Sequence, residues 1–190
     1  RIATHYKFAL SWAFGTAAGA APAALVLEDD LLFSPDLLAY FEAAAPALDM
    51  DPSLFAVSAW NDNGFVGRVE GAGGEAARGV DNAFALRRTG FFPGLGWLCT
   101  RKLFQGELER AWPGEHWDHW LRDPAQHKGR EVLYPAVPRV FHHGSVGTFM
   151  DEATHQRYFA RVAFNRDAAL TPRWAGAWAG SAAAARARAA

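Results

Sequence analysis

The apolar and polar positions of this chain fall into blocks that predict alternating helices and strands. From His5 to about Ala18, Phe8, Leu10, Trp12 and Phe14 recur among alanines, the pattern of a packed helix that Gly19 to Pro22 interrupts. Ala23 to Leu27 is short, continuous and apolar, as in a central strand covered on both faces, and it ends abruptly in Glu28-Asp29-Asp30. Ser34-Pro35-Asp36 then reads as a helix start: Ser caps, Pro suits the first turn, and Asp favours the positive end of the dipole. Leu37, Phe41, Ala44 and Leu48 continue at helical spacing towards Pro52.

A second strand is expected over Leu54 to Trp60, closed by the turn-prone Asn61-Asp62-Asn63-Gly64. Gly67 to Gly79 reads as an exposed loop, and Ala83 to Leu86 as a strand. Helices are expected over Arg101 to Ala111, His116 to Arg122 and Phe149 to Phe164, with a strand at Glu131 to Tyr134. No internal repeat is visible, and Ala177 to Ala190 is Ala/Arg-rich low complexity. Alternating elements of this kind make an α/β sheet domain, whose ligand crevice lies at the carboxyl ends of the strands.

Composition narrows the classes. A chain of 190 residues, 51% hydrophobic and 21% charged, buries a core of its own as one principal unit. Its net charge of −1 lacks the basic surface that nucleic-acid binding needs. Cys99 is the sole cysteine, which excludes an intramolecular disulfide and any zinc or redox cysteine pair, and reads as a small buried apolar residue. No run approaches the roughly 20 apolar residues that span a bilayer, and there is no signal-peptide pattern. The chain opens on Arg1 inside an expected helix, so it reads as a piece of a longer protein. Eight tryptophans suit a core and also suit stacking on sugar rings or bases.

Four segments could carry chemistry. Three adjacent carboxylates at a strand end repel one another unless a cation or hydrogen-bond donors compensate. Mg2+ or Mn2+ held by one or two of them together with substrate phosphates would do so, and a solvated turn is the alternative. In Trp117-Asp118-His119-Trp120, bulky aromatics could hold Asp118 in a drier pocket suited to a general base, with His119 a second candidate; the alternative is two core tryptophans beside an exposed Asp. Phe92-Pro93-Gly94-Leu95-Gly96-Trp97 combines glycines that admit a ligand close to the backbone with anchoring aromatics, or is simply a tight turn. It has neither the phosphate-loop nor the dinucleotide signature. Finally, Arg139, His142, His143, Gly144, Ser145 and Gly147 could close over phosphates, or form an exposed loop; adjacent histidines on an extended chain point to opposite faces, which argues against zinc.

Taken in order, Leu27-Glu28-Asp29-Asp30-Leu31 with Ser34-Pro35-Asp36, Ser58-Ala59-Trp60-Asn61-Asp62-Asn63-Gly64, Phe91 to Trp97 and Trp117 to Trp120 resemble the N-acetylglucosaminyltransferase I family from about His5 to Phe164. The resemblance implies a GT-A, Rossmann-like nucleotide-diphospho-sugar transferase fold over 1–165, an N-terminally truncated mixed sheet flanked by helices, followed by an Ala/Arg-rich tail over 166–190. It implies inverting transfer of GlcNAc from UDP-GlcNAc, with Mn2+ as cofactor, in beta-1,2 linkage to a terminal alpha-mannose of a protein N-glycan. Transfer to O-linked mannose, or a non-catalytic carbohydrate-binding piece, are the alternatives.

By position, the resemblance makes Asp30 the metal ligand, with Glu28 and Asp29 contacting the donor sugar and ribose. Asp118 becomes the catalytic base and Trp117 lines the donor sugar. The stretch from Arg139 through Ser145 to Phe149 resembles a loop that orders over the donor, so Arg139 and Ser145 are expected donor contacts. Gly94, Leu95, Gly96, Trp97, Asn61 and Asp62 are expected to line the pocket. His119 stands where the family commonly has a second acid. The family's N-terminal strands, which hold much of the uridine site, would precede Arg1, and a Golgi lumenal, type II membrane protein is expected, its anchor outside this segment.

Overall fold

A computed structural model describes residues 1–17, 21–67, 69, 83–147 and 150–174. Most of the expected 67–79 loop, Phe149 and the tail from 175 onward lie outside these residues. Its main strands are β1 (Ala23–Val26), β3 (Leu54–Ser58), β4 (Leu86–Thr89), β5 (Trp97–Thr100) and β6 (Glu131–Pro135); two short ones, β2 (Leu31–Phe33) and β7 (Val140–His142), pair separately. The main sheet runs β1-β5-β3-β6-β4. Among the described strands of this sheet only β3 and β6 are parallel; every other neighbouring pair is antiparallel. The chain is thus a mixed α/β unit.

The fully covered centre is β3, whose five residues are all buried, while β1 lies at the edge among the described strands and is half-buried throughout. The Ala23 to Leu27 run, expected to be central, therefore has a strand neighbour on one side only among the described strands. A short apolar run reports that both faces are covered, not how many strand neighbours it has. Side chains divide between two clusters, alternating along β5 and β6, while an irregularity between Leu54 and Ala56 puts Leu54 and Val57 of β3 on the same side. Phe55, Trp97, Cys99 and Val132 face α1 (Ile2–Trp12) and the segment following β5, where α4 (Arg101–Leu103) continues as a π turn through Leu108. Leu54, Val57, Leu98 and Leu133 face α2 (Leu37–Ala44) and α3 (Ala47–Met50). Each such buried side chain contributes roughly 1.5–3 kcal/mol.

Other boundaries moved for identifiable reasons. Of the expected apolar stripe only Leu10 on α1 and Phe14 in the π-helical segment that continues it (Ala13–Ala17) are buried; Phe8 is 68% and Trp12 58% exposed, because 8 and 12 lie on the opposite side of the helix. Ala45 and Pro46 separate α2 from α3. The strand expected at Ala83 to Leu86 is displaced to Leu86–Thr89, in register with Val132 to Pro135. The C-terminal helix, α6 (Glu152–Tyr158), is shorter than expected, starting where the Asp151 side chain accepts from the Thr154 amide. A 3-10 turn over Ala168–Arg173 follows, and Trp174 packs edge-on against Tyr40 and Phe84. Packing therefore continues past 165, the expected domain limit.

Candidate functional site

The sheet topology places the candidate residues at one end. Val26 and Ser58 both pair with Trp97, so β1 and β3 end where β5 begins, and β6, parallel to β3, ends there too. Glu28-Asp29-Asp30 leaves β1 at that end, Asn61 leaves β3, and Arg139 to Gly144 leaves β6. The β2–β7 ladder, with Leu31 opposite His142, then folds the last of these segments onto the acidic turn.

Within the triplet the three carboxylates have distinct surroundings. Glu28 accepts from the Tyr6 hydroxyl at 2.6 Å. Burial raises its pKa above the ordinary carboxylate value, the Tyr6 hydrogen bond opposes the rise, and the charges of Asp30, Asp118 and Asp29 add to it. Asp29 is exposed. Asp30 Oδ2 lies 3.1 Å from His142 Nε2, and its backbone carbonyl accepts from the His143 amide at 3.0 Å. Asp30 Oδ1 is buried and has no hydrogen-bond partner. A bare carboxylate oxygen of this kind fits a hard divalent cation. Among the described residues no three His, Cys, Asp or Glu side chains form an ion cage, so most of the ligands would come from substrate oxygens or water.

Asp118 is on α5 (Trp117–Arg122), which His116 enters with a left-handed φ of 48°. Its carboxylate, about one-third exposed, takes Arg122 Nη1 at 3.0 Å one helical turn away, with His119 Nε2 at 3.9 Å. Arg122 also donates to the Phe92 carbonyl at 3.2 Å and lies over the Phe91 ring at 5.1 Å. It thereby ties the base candidate to the Phe91 to Trp97 segment, where Gly94 adopts a φ of 85°. The dry pocket expected around Asp118 is not what the geometry provides; a paired, half-open carboxylate stands there instead. Trp117 is buried, stacked on Tyr6 at 4.1 Å and on Trp97 at 5.9 Å, so Tyr6 links α5 to Glu28. An open cleft of about 610 Å³ runs alongside, lined by His5, Tyr6, Leu25, Leu27, Glu28 and Asp29 among others.

The GNT-I family model matches residues 1–169. The chain belongs to the GNT-I family. It is also 39% identical over 152 residues to an alpha-1,3-mannosyl-glycoprotein 2-beta-N-acetylglucosaminyltransferase of Arabidopsis thaliana, covering 80% of this chain and 31% of that relative. The chain therefore spans about a third of the relative's length.

Within this GNT-I chain several expected ligand contacts have other tasks. Arg139 is fully buried: Nε donates to Asp36 Oδ2 at 2.9 Å, and the Nη atoms donate to the Val137 and Ala83 carbonyls. It is a core cation, and the structure corrects its expected place as a donor contact. Asp36 is equally buried. Although burial pushes its pKa up, Arg139 and the Ser34, Trp174 and Asn165 hydrogen bonds outweigh this and hold it below the ordinary value. Ser34 and Asp36 are thus spent on this network, not on capping α2.

Asn61 is buried and donates to the Ala136 carbonyl at 2.7 Å, and the Trp97 ring sits wholly within the core, so neither lines an open pocket. A Cβ on Gly96 would stand 3.0 Å from Val140 Cγ1, so that glycine serves the packing of β5 against β7. Leu95 is half-buried against the α2 side of the core, Asp62 accepts from Trp60 Nε1 at 3.1 Å, and Ser145 hydrogen-bonds Glu152. Tyr6 and Arg122 are the contributors that sequence reasoning missed. The i, i+4 spacing of Asp118 and Arg122 was a usable signal for one; nothing local marks Tyr6, whose partner is 22 residues away.

Proposed function

We propose that the chain is the catalytic portion of a metal-dependent, inverting N-acetylglucosaminyltransferase of GT-A fold. It moves GlcNAc from UDP-GlcNAc, in beta-1,2 linkage, to a terminal alpha-mannose of a protein N-glycan. The observation that carries this reading is the geometry at one end of the sheet: Tyr6 joins Glu28 by a hydrogen bond to Trp117, the neighbour of Asp118, by a ring stack, and one Asp30 oxygen two residues from Glu28 is buried and bare. Family membership and the relative's name support the reaction class. A whole protein of this kind is a Golgi lumenal enzyme with its membrane anchor outside this segment; no helix among the described residues is long and apolar enough to cross a membrane.

Asp30 would hold Mn2+, which would supply positive charge to offset the negative charge gathering on the departing UDP. Asp118 takes the proton from the acceptor hydroxyl as its oxygen bonds to the anomeric carbon, and the bond from that carbon to UDP breaks on the opposite face. Arg122 fixes the direction of the Asp118 carboxylate. Tyr6 orients Glu28 towards the donor sugar, and the cleft beside Asp29, within the size range of small-molecule sites, takes the nucleotide.

The test is UDP release with Mn2+ and UDP-GlcNAc in the presence of an alpha-mannosyl N-glycan, an O-mannosyl peptide or an acceptor without mannose. Turnover on the N-glycan, lowered about 10²–10⁴-fold by Asp118→Asn, is expected. Equal turnover without mannose, or full activity in Asp118→Asn, overturns the proposal. Glycan binding with no transfer to any acceptor also overturns it, in favour of a carbohydrate-binding module.

A further inference from the structure

Resting on the metal reading above, we propose that His142 is a second protein ligand of the divalent cation, so that the ion is held by an Asp30–His142 pair and not by one carboxylate alone.

The pair is built, not incidental. His142 is 7% exposed, and the sole polar contact of its ring among the described residues is with Asp30, since its Nδ1 has no partner. A buried imidazole that contributes nothing else to the polar network of the fold is an expensive side chain to keep dry. Its Nε2 stands 3.1 Å from Asp30 Oδ2. Two ligands at right angles, each about 2.1 Å from an ion, are about 3.0 Å apart, so the pair already has the spacing of one edge of an octahedron.

The backbone fixes that spacing. Leu31 is paired with His142 across the β2–β7 ladder, and the His143 amide binds the Asp30 carbonyl. Phe159 lies against the imidazole at 4.8 Å, and His155 Nε2 hydrogen-bonds the His142 carbonyl at 2.9 Å, which together hold the ring's direction. Gly144 clears the space: a Cβ there would come within 3.1 Å of Asp30 Oδ2 and 3.4 Å of His142 Cε1. With two ligands from the protein, the other positions of the ion remain for phosphate oxygens and water.

Electron spin-echo envelope modulation of Mn2+ bound to the chain, alone and with UDP, tests this without relying on turnover. The expected result is coupling to a directly bound nitrogen, lost in His142→Gln and kept in His143→Gln, with Mn2+ affinity falling about tenfold or more in His142→Gln alone. The melting temperature of each variant shows whether it folds, and the spectrum of the unaltered chain decides even if a variant does not. Mn2+ that binds with no nitrogen coupling overturns the His142 assignment and leaves the metal reading standing. No Mn2+ binding in either condition overturns both.

Discussion

Replacing Arg139 by Met separates a core cation from a donor-binding one. Arg139 and Asp36 are both fully buried, and the substitution removes the guanidinium while leaving the Asp36 carboxylate with donors only from Ser34, Asn165 and Trp174. Breaking one partner of a buried pair strands the other's charge, a loss of about 3–5 kcal/mol. The Val137 and Ala83 carbonyls lose their donors as well, so the upper part of that range applies. With about 4–5 kcal/mol lost and each kcal/mol moving Tm by about 2–4 °C for a unit of this size, a fall of about 8–20 °C is expected by calorimetry or near-ultraviolet circular dichroism. Asp36→Asn in the same background should recover part of the loss, because it removes the stranded charge. A loss below about 1 kcal/mol, accompanied by weaker UDP binding, would refute the reasoning and return Arg139 to the donor site.

The same carboxylate sets a pH dependence. Since the folded pKa of Asp36 is depressed, its contribution is complete above the unfolded carboxylate pKa of about 4 and is lost as pH falls through the folded value. Urea midpoints should fall on acidification below that point and fall less steeply in Asp36→Asn; identical slopes would count against it. Gly144→Ala should weaken Mn2+ binding about tenfold or more, measured by calorimetric titration, since the new methyl presses on Asp30 and His142. Tyr6→Phe keeps the stack on Trp117 but drops the Glu28 hydrogen bond, so the KM for the nucleotide sugar should rise about tenfold with little change in Tm; an unchanged KM removes Tyr6 from the site. Glu107→Gln, which breaks partly exposed pairs with Lys128 and Arg130, should cost under about 1 kcal/mol in urea denaturation.

What could be read from the residues alone follows the range of the forces involved. The apolar run of β3, the strand-then-acidic-turn unit and the helix on Leu37 and Phe41 are local patterns, and each lies where its pattern puts it. The order of motifs carried the family. The edge position of β1 among the described strands was not legible, because strand neighbours are chosen by the whole sheet. Nor was the work of Asp36, whose deciding partner is 103 residues away. A dipole-favouring Asp at a helix start and a buried counterion look the same in sequence.

Asp30 and Asp36 show why that distinction matters for function. They flank one short strand, yet Asp36 is saturated by four donors while Asp30 keeps a buried oxygen bare. A carboxylate whose lone pairs are all taken holds a fold together; one with an oxygen left over can bind something. The segment containing β7 supplies the partner for each, Arg139 at its start and His142 at its end. Fixing Asp36 therefore also fixes the ladder that brings His142 to Asp30. The structural pair and the candidate metal pair are thus coupled in one direction: loosening Arg139 should lower stability and Mn2+ affinity together, whereas His142→Gln should lower Mn2+ affinity alone. Equal Mn2+ affinity in a destabilised but folded Arg139→Lys variant would show that the ladder is held without the buried pair.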